Sequence, residues 1–174
     1  MYNVIVLAEQ ALSAGDANEV ASLHLSIEDT KHYYVLIPCD NAALRVETAL
    51  GSLAASEVVA APASLADRDG LEQAQADLDA EAQAAVAVSV SALRAIGADA
   101  TGQFSSGEPI ESLEEVAREH NADEVIVMTR PHVIQEFLHL DWSSKARRRL
   151  GVPVLHLIEH EAPGGSAVSR DPHS

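Results

Sequence analysis

The sequence predicts a doubly wound α/β domain, in which a parallel β-sheet is covered by helices on both faces. Short apolar runs rich in β-branched residues alternate along the chain with longer segments whose apolar residues recur at helical spacing. Apolar residues make up 47% of the chain but aromatic residues only 3%, so the core must be built from Val, Ile, Leu and Ala. That filling is typical of a parallel sheet buried on both faces.

Five apolar runs are predicted as strands of one parallel sheet. We expect a three-layer α/β/α arrangement with strand order 3-2-1-4-5, in which the first strand is central and the fifth lies at one edge. Pro38 is expected to close the second strand. The five predicted strands are Val4–Ala8, Tyr33–Ile37, Asp99–Phe104, Glu124–Met128 and Val152–Ile158.

Helical periodicity fills the segments between these strands. The clearest helix runs from Leu71 to about Ile96 and is stopped by Gly97. Residues 40–70 are ambiguous: 42–53 fits a helix, 58–61 a short strand or loop, and 63–70 a connection. The other predicted helices are Asp16 to about Ile27, Pro109 to about His120 with Asn121 as C-cap, and about Gln135 to Leu150 with Gly151 as the stop.

Length, net charge and the distribution of apolar residues indicate the broad class of protein. The 174 residues suit one domain over 1–160, followed by a disordered tail over 161–174 that contains Pro163 and Gly164 and no core pattern. A net charge of −16 disfavours nucleic acid and anionic membranes as partners. The start lacks the features of a signal peptide, and no apolar run approaches the roughly 20 residues that span a bilayer. We therefore expect a cytoplasmic protein.

The C-terminal half carries a resemblance to a known family. The segment Ala122–Arg130, with its strand Glu124–Met128, is followed by Asp141–Leu155, which contains Trp142, two serines, a basic run and the last strand. Over about residues 109–158 this pattern resembles the universal stress proteins, a family within the HUP superfamily. Val4–Ala8 and the second strand match the family loosely. The resemblance implies a role in stress or regulation and a homodimer.

The glycines that the resemblance leads one to expect are missing. ATP-binding universal stress proteins carry a Gly, two residues, a second Gly, nine residues, and then Gly-Ser or Gly-Thr. In this sequence that spacing falls on Thr129, His132, Trp142 and Ser143, so the hydroxyl is kept and all three glycines are replaced. Thr and Trp resist the backbone conformations that Gly accepts, and Pro131 removes an N–H donor. We expect no cofactor, and in particular disfavour ATP and AMP.

The default site lies where the strands end. In doubly wound sheets, ligands bind beyond the carboxyl ends of the strands. The candidate binding residues are Ala8, Glu9, Ile37, Thr129, Arg130, His132, Ser143 and Ser144. Their side chains could hold a small anionic ligand, since Ser143 and Ser144 fall at a predicted helix N-terminus. Alternatively, one of these serines is only the N-cap of that helix.

Other chemistry-bearing residues have simpler interpretations. The run Lys145–Arg149 fits a solvated face of an acidic protein, with a phosphate or partner-protein patch as the alternative. Trp142 fits a packing or dimer anchor better than a ligand-stacking residue. Cys39 has no base beside it in the sequence, which argues against a nucleophile. The scattered histidines lack metal-binding spacing, so no metal site is predicted.

Three functions remain open at this stage. The leading hypothesis is a non-catalytic, universal-stress-protein-like module that does not bind ATP in the family manner. The second is a binder of a nucleotide or small anionic metabolite through a remodelled phosphate loop. The third is an interaction or structural protein that acts as a dimer through the last strand. An enzyme is not expected, because the His-x-Gly-His and Ser-Gly-Gly motifs of related enzymes do not occur.

Overall fold

A computed structural model describes residues 1–39, 68–129 and 148–158 of the 174-residue chain. Within these ranges a parallel sheet alternates with helices along the sequence. The elements are β1 (Tyr2–Ala8), α1 (Ala14–Ser22), β2 (Lys31–Cys39), α2 (Arg68–Ala95), β3 (Asp99–Ser106), α3 (Pro109–Glu119), β4 (Glu124–Thr129) and β5 (Val154–Ile158).

The sheet has the predicted topology. Its five strands are all parallel and lie in the order β3-β2-β1-β4-β5, which confirms the fold class, the central first strand and the fifth strand at an edge. Val4–Ala8 is buried on both faces, as a central strand between two helical layers must be. The strand order reverses at β1, and in doubly wound sheets ligands bind beyond the carboxyl ends of the strands at such a point.

Two apolar clusters hold the layers together. On one face, alternate residues of the strands pack against α1 and α2, with Val4, Val20, Val35, Val86 and Ile126 in that cluster. On the other face, the intervening strand residues pack against α3, with contributions from Leu113 and Val116 of that helix. Because successive side chains of a strand point to opposite faces of the sheet, the strands contribute residues to both clusters.

The helix after β1 is shorter than the sequence predicts. It ends at Ser22 instead of near Ile27, and Leu23 is its C-cap. The physical reason lies in His24, which is buried and contacts β2 and β4 through its ring, so the chain must leave the helix to place it. Leu23 is left partly exposed, because the predicted apolar stripe does not continue into the core.

The second strand is longer than the sequence predicts. β2 continues through Pro38 to Cys39, where these two residues pair with Ser105 and Ser106 of β3. Pairing with β1 ends at Leu36, so Pro38 has a neighbouring strand on one side only. A proline without its N–H is tolerated there, as it is on an edge strand.

Other boundaries shift by a few residues. α2 begins at Arg68, so the last three residues of the predicted 63–70 connection are helical, while β5 begins at Val154 instead of Val152. The C-cap of α3 is His120, and Asn121 follows it in the left-handed region with φ 49°. The expectations for 42–53, 58–61, most of the fourth helix and the tail fall outside the described residues.

The two glycines that were predicted to end helices adopt left-handed backbone conformations. Gly97 follows α2 with φ 84°, and Gly151 follows the helical residues 148–150 with φ 68°. Glycine adopts such angles without the steric cost that a Cβ brings. None of the helices in the described part of the chain is long and apolar enough to cross a membrane.

Candidate functional site

A cleft of about 920 Å³ opens at the carboxyl edge of the sheet. That volume is within the range of small-molecule sites. One wall comes from the ends of β1, β2 and β4, and the other comes from the middle of α2 and the start of α3. The cleft therefore occupies the position that the doubly wound topology predicts for a ligand.

Four of the eight predicted site residues line this cleft. Ala8 and Glu9 follow β1, Ile37 lies near the end of β2, and Thr129 ends β4. The structure thus brings together residues that are far apart in sequence, as the meeting of parallel strand ends requires. The other four predicted residues, Arg130, His132, Ser143 and Ser144, lie outside the described residues.

The loop after β1 is fixed by hydrogen bonds to its surroundings. The Leu12 N–H donates to Ser89 Oγ of α2 over 2.9 Å, and the Ser89 hydroxyl donates to the Ala85 carbonyl over 2.7 Å. Ser13 and Asp16 then form a capping box at the start of α1. This rigid loop positions Glu9, Gln10 and Ala11 at the rim of the cleft.

Thr129 belongs to the sheet and not to a loop. It pairs with Ile158 in the ladder between β4 and β5 and is only 2% exposed. Among the described non-glycine residues, Asn121 is the one with positive φ, so the Thr129 backbone is not in the region that glycine favours. Its Oγ1 lies 2.7 Å from Nε2 of His156 on β5. Sequence reasoning missed this partner, because the two residues are 27 positions apart.

The protein's own carboxylates take part in the caps of both α1 and α3, and at α3 a carboxylate accepts directly from helical N–H groups. Asp16 Oδ2 accepts from the Ser13 N–H over 2.8 Å, and Glu108 Oε2 accepts from the N–H groups of Ile110 and Glu111, each over 3.0 Å. Helix N-termini are ready-made positions for anions. In this chain Glu108, which also lines the cleft, occupies that position at α3.

The charge of the cleft is negative along the part that the structure describes. Three carboxylates line it, those of Glu9, Glu81 and Glu108, and none of the described lining residues is Lys, Arg or His. Apolar side chains such as Leu78 and Val88 of α2 complete the wall. Like charges oppose a phosphate, so these residues favour neutral or apolar groups of a ligand. Sequence reasoning identified Glu9 but missed Glu81 and Glu108, since α2 and α3 were assigned only packing roles.

Cys39 ends β2 at the edge of the cleft and is buried. Its thiol donates to Asp79 Oδ1 over 3.3 Å, and Gln75 Nε2 donates to the same oxygen over 2.9 Å. These bonds tie β2 to α2, which gives the thiol a structural role. No group of three or more metal-ligating side chains occurs in the described ranges 1–39, 68–129 and 148–158.

A second polar cluster lies at the opposite, amino end of the strands. His24 is 2% exposed, and its Nε2 lies 3.0 Å from Glu124 Oε2, which also accepts from the Tyr2 hydroxyl over 3.0 Å. His24 Nδ1 lies 3.1 Å from both the Val20 carbonyl oxygen and the Tyr33 hydroxyl. Both ring nitrogens therefore lie within hydrogen-bond distance of oxygen atoms.

The surroundings of the tyrosines in this cluster shift their acidity. Burial raises the pKa of Tyr33 above 10.0, and the nearby Glu124 carboxylate raises it further. Burial is also the largest cause of the raised pKa of Tyr2, ahead of its hydrogen bond to Glu124. On the opposite face of the sheet, burial and the charge of Glu119 raise the pKa of Tyr34. Nothing in the sequence predicts the cluster, since His24 and Glu124 are 100 residues apart.

Solved structures of other proteins are similar to this chain in fold. A universal stress protein family protein from Arabidopsis thaliana, solved with AMP bound, is 14% identical to this chain; the match covers 92% of this chain and 94% of that one with a TM-score of 0.50. A structure described as that of a hypothetical protein is 18% identical, with 92% and 98% covered and a TM-score of 0.50. A universal stress protein from Archaeoglobus fulgidus is 15% identical, with 90% and 93% covered and a TM-score of 0.47.

For the two structures with a TM-score of 0.50, the likeness at these identities shows a shared fold and nothing of the ligand. The resemblance that the sequence motifs predict is thus confirmed at the level of the fold. No family model matches the sequence, and no curated protein matches it.

Proposed function

We propose that this chain is a non-catalytic, universal-stress-protein-like module with a stress or regulatory role, whose cleft does not bind ATP in the manner of that family. The observation that carries this proposal is the state of Thr129. The residue stands where the resemblance places the first phosphate-binding glycine, yet it is buried, paired with β5 and hydrogen-bonded to His156. A threonine also carries a Cβ and a branched side chain that a glycine lacks, which hinders close approach of a phosphate to the backbone.

The charge of the cleft supports the same proposal. A triphosphate would enter beside Glu9, Glu81 and Glu108, whose carboxylates repel it. Glu108 accepts hydrogen bonds from the N–H groups of Ile110 and Glu111 at the α3 N-terminus, so these groups are not available to bind an anion. The Arabidopsis protein, which is described with AMP bound, is the natural positive control.

A thermal-shift comparison of the full chain with Mg-ATP, AMP and adenosine tests this proposal. A ligand that binds the native state raises its melting temperature by an amount that grows with the ratio of ligand concentration to dissociation constant. We expect no shift with Mg-ATP at neutral pH, whereas the AMP-binding control protein should shift with AMP. A rise of several degrees with Mg-ATP would contradict the proposal.

A second candidate function is a binder of a small anionic metabolite held by side chains. It is favoured by the preserved spacing of the loop and by the cluster of five basic residues between Arg130 and Arg149. Arg130→Ala separates it from the leading proposal. If sulfate stabilises the wild type but not this variant, an anion site exists. If sulfate affects the two equally, the loop is a packing element.

We also propose that the chain forms a homodimer through β5. This strand is an edge of the sheet, and it exposes Leu155 and Ile158, which are 38% and 48% exposed. An apolar edge strand is a liability that pairing with a second copy removes. The dimer would make the module an interaction protein even if the cleft binds no ligand.

A further inference from the structure

Three polar side chains at the amino ends of β2 and β3 form two consecutive hydrogen bonds, at the end of the sheet opposite the cleft. His32 Nδ1 lies 2.9 Å from Asp99 Oδ2, and His32 Nε2 lies 2.9 Å from Thr101 Oγ1. A carboxylate, an imidazole and a hydroxyl in this order form the arrangement by which proteins activate a hydroxyl nucleophile. We propose that Thr101 is an acyl-acceptor site, whose hydroxyl takes an acyl group from a small activated ester or thioester.

The register between β2 and β3 holds the three side chains together. His32 pairs with Asp99 and Tyr34 pairs with Thr101, so His32 is directly opposite Asp99 and diagonal to Thr101. Alternate residues of a strand point to the same face, which places all three side chains on one face of the sheet. An aromatic ring reaches both its opposite and its diagonal neighbour on the paired strand. The arrangement is therefore set by two strands of the sheet and not by a loop.

The carboxylate of Asp99 determines which ring nitrogen of His32 carries the hydrogen. An ionised carboxylate can only accept hydrogen bonds, so Nδ1 must carry the hydrogen that Asp99 receives. In a neutral ring Nε2 then has a lone pair, and the Thr101 hydroxyl donates to it. His32 is thereby oriented as a general base for the Thr101 hydroxyl. Asp99 is the positioning residue that holds the tautomer and the orientation of the ring.

Thr101 can be reached from solvent. The residue is exposed, whereas the side chain of His32 is only 20% exposed, so the ring is held between its neighbours while the nucleophile stays open. β3 is an edge strand of the described sheet, and the dimer proposed through β5 uses the opposite edge, so the proposed interface does not cover this site. An exposed surface holds a small molecule only weakly. The acyl donor must therefore be reactive by itself, which is the reason for an activated ester or thioester.

The transfer is balanced between the donor and the protein. The Thr101 oxygen attacks the carbonyl carbon of the donor while the hydroxyl proton passes to His32 Nε2. The tetrahedral adduct then collapses, and the bond from the carbonyl carbon to the leaving oxygen or sulfur breaks. The leaving group departs with the electron pair of that bond, and the imidazolium returns its proton to the leaving group or to solvent. The product is an ester on Thr101, so each chain takes one acyl group, as a non-catalytic module would.

The test treats the full chain with p-nitrophenyl acetate and locates the acetyl group by mass spectrometry of peptides. The internal control is Thr30, an exposed threonine immediately before β2. We expect Thr101 to be acetylated about 100-fold faster than Thr30, because a positioned general base contributes at least this factor. Hydroxylamine should remove the label, since it cleaves esters and spares the amides formed at lysines. Unfolding in urea should abolish the difference between the two threonines.

Variants identify the role of each group. His32→Gln should lower the acetylation rate of Thr101 to that of Thr30, and Thr101→Ser should keep the reaction because it keeps the hydroxyl. Asp99→Asn should slow the reaction severalfold, because an amide no longer dictates the tautomer of the ring. Asp99→Glu should restore part of the rate, a rescue that a purely structural role of Asp99 would not give.

Three outcomes overturn the proposal. They are equal acetylation of Thr101 and Thr30 in the folded wild type, equal acetylation of Thr101 in the wild type and His32→Gln, and an acetyl group on the His32 ring with none on Thr101. The comparison of two threonines within the wild type needs no variant, so it decides the matter even if a substitution unfolds the chain. Tight Mg-ATP binding would instead contradict the proposed function of the cleft and leave Thr101 unaffected, so the two failures are distinguishable.

Discussion

The most deeply buried ionisable pair in the described structure is His24 with Glu124, which are 2% and 8% exposed. The histidine ring also lies between Tyr2 and Tyr33, with ring centroids 5.8 Å and 5.6 Å apart. The pair ties the turn after α1 to β2 and β4, at the end of the sheet opposite the cleft. Its role is to fix packing, since it is far from the candidate site.

We expect Glu124→Leu to lower the free energy of unfolding by about 3–5 kcal/mol, because it leaves a buried imidazole without its carboxylate. Urea unfolding at neutral pH measures the change. The matched control is Glu115→Leu on the exposed side of α3, which should change stability by no more than about 0.5 kcal/mol. The double variant His24→Phe with Glu124→Leu should regain part of the loss, because an apolar pair replaces a buried polar one and leaves neither partner alone. Additive losses in the double variant would contradict the pairing.

The three tyrosines make stability depend on alkaline pH. Burial raises the pKa of Tyr33 above 10.0, so the folded state holds its phenolic proton more tightly than the unfolded state does. This contribution to stability is fully present below about pH 10 and is lost as the pH rises through the higher pKa of the folded protein. Urea unfolding between about pH 9 and pH 11 should show the decline, and Tyr33→Phe should reduce it. An ultraviolet titration in which Tyr33 ionises below its ordinary value would contradict the account.

Residue-scale features were the hardest to predict from the sequence. Ala8, Glu9, Ile37 and Thr129 line one cleft, which strand ends and topology suffice to predict, and their role in binding stays a prediction. The bonds from His156 to Thr129 and from His24 to Glu124 were missed, because they join residues that only the three-dimensional register brings together. A single histidine in a sequence gives no indication of which distant side chain it will contact.

At the scale of elements, Gly102 shows how closely two strands and a helix approach each other. A Cβ at this position of β3 would lie 2.6 Å from the Val35 carbonyl oxygen of β2 and 3.2 Å from Val86 Cγ1 of α2. The carbonyl is part of the backbone of β2, which is paired on both sides at this position, so it cannot move aside without cost. Glycine is therefore required here by close packing.

We expect Gly102→Ala to destabilise the fold by about 1–3 kcal/mol, as overpacking of a filled core does. Chemical denaturation measures the change in the free energy of unfolding. Gln103→Ala, an exposed position next along the same strand, is the control and should change stability by no more than about 0.5 kcal/mol. Equal stability of Gly102→Ala and the wild type would show that β3 packs more loosely than the structure has it.

The strands were predicted well, because apolar β-branched runs between turns have few other interpretations. The errors lie where tertiary contacts override local pattern: burial of His24 shortens α1, and loss of the β1 neighbour lets β2 pass through Pro38. The start of α2 was misplaced because the polar residues around Arg68 carry no apolar periodicity. Helix ends were predicted best where glycine marks them, as at Gly97 and Gly151.

For the whole molecule, the dimer proposed through β5 has a direct test. Leu155→Lys places a charge on the exposed edge strand and should shift the protein from dimer to monomer, with light scattering as the measurement. Gln103→Lys adds the same charge to the opposite edge strand β3 and should leave the dimer intact. A wild type that remains monomeric at high concentration, or equal dissociation in both variants, would contradict an interface at β5.

We propose that the cleft at the carboxyl edge of the sheet does not bind ATP in the manner of the universal stress proteins. Its walls come from the strand ends, as the topology demands, while Thr129 replaces a glycine and three carboxylates face the space. The net charge of −16 acts in the same direction, since it opposes any polyanion that approaches the molecule.

Isothermal titration of the full chain with Mg-ATP at neutral pH tests this claim most directly. Thr129 stands in the sheet where a phosphate-binding glycine is expected, and the described lining is acidic, so we predict binding too weak to measure or weaker than millimolar. The same titration on an AMP-binding universal stress protein with AMP is the positive control. Micromolar or tighter binding of Mg-ATP, or ATP that remains with the protein through purification, would contradict the account.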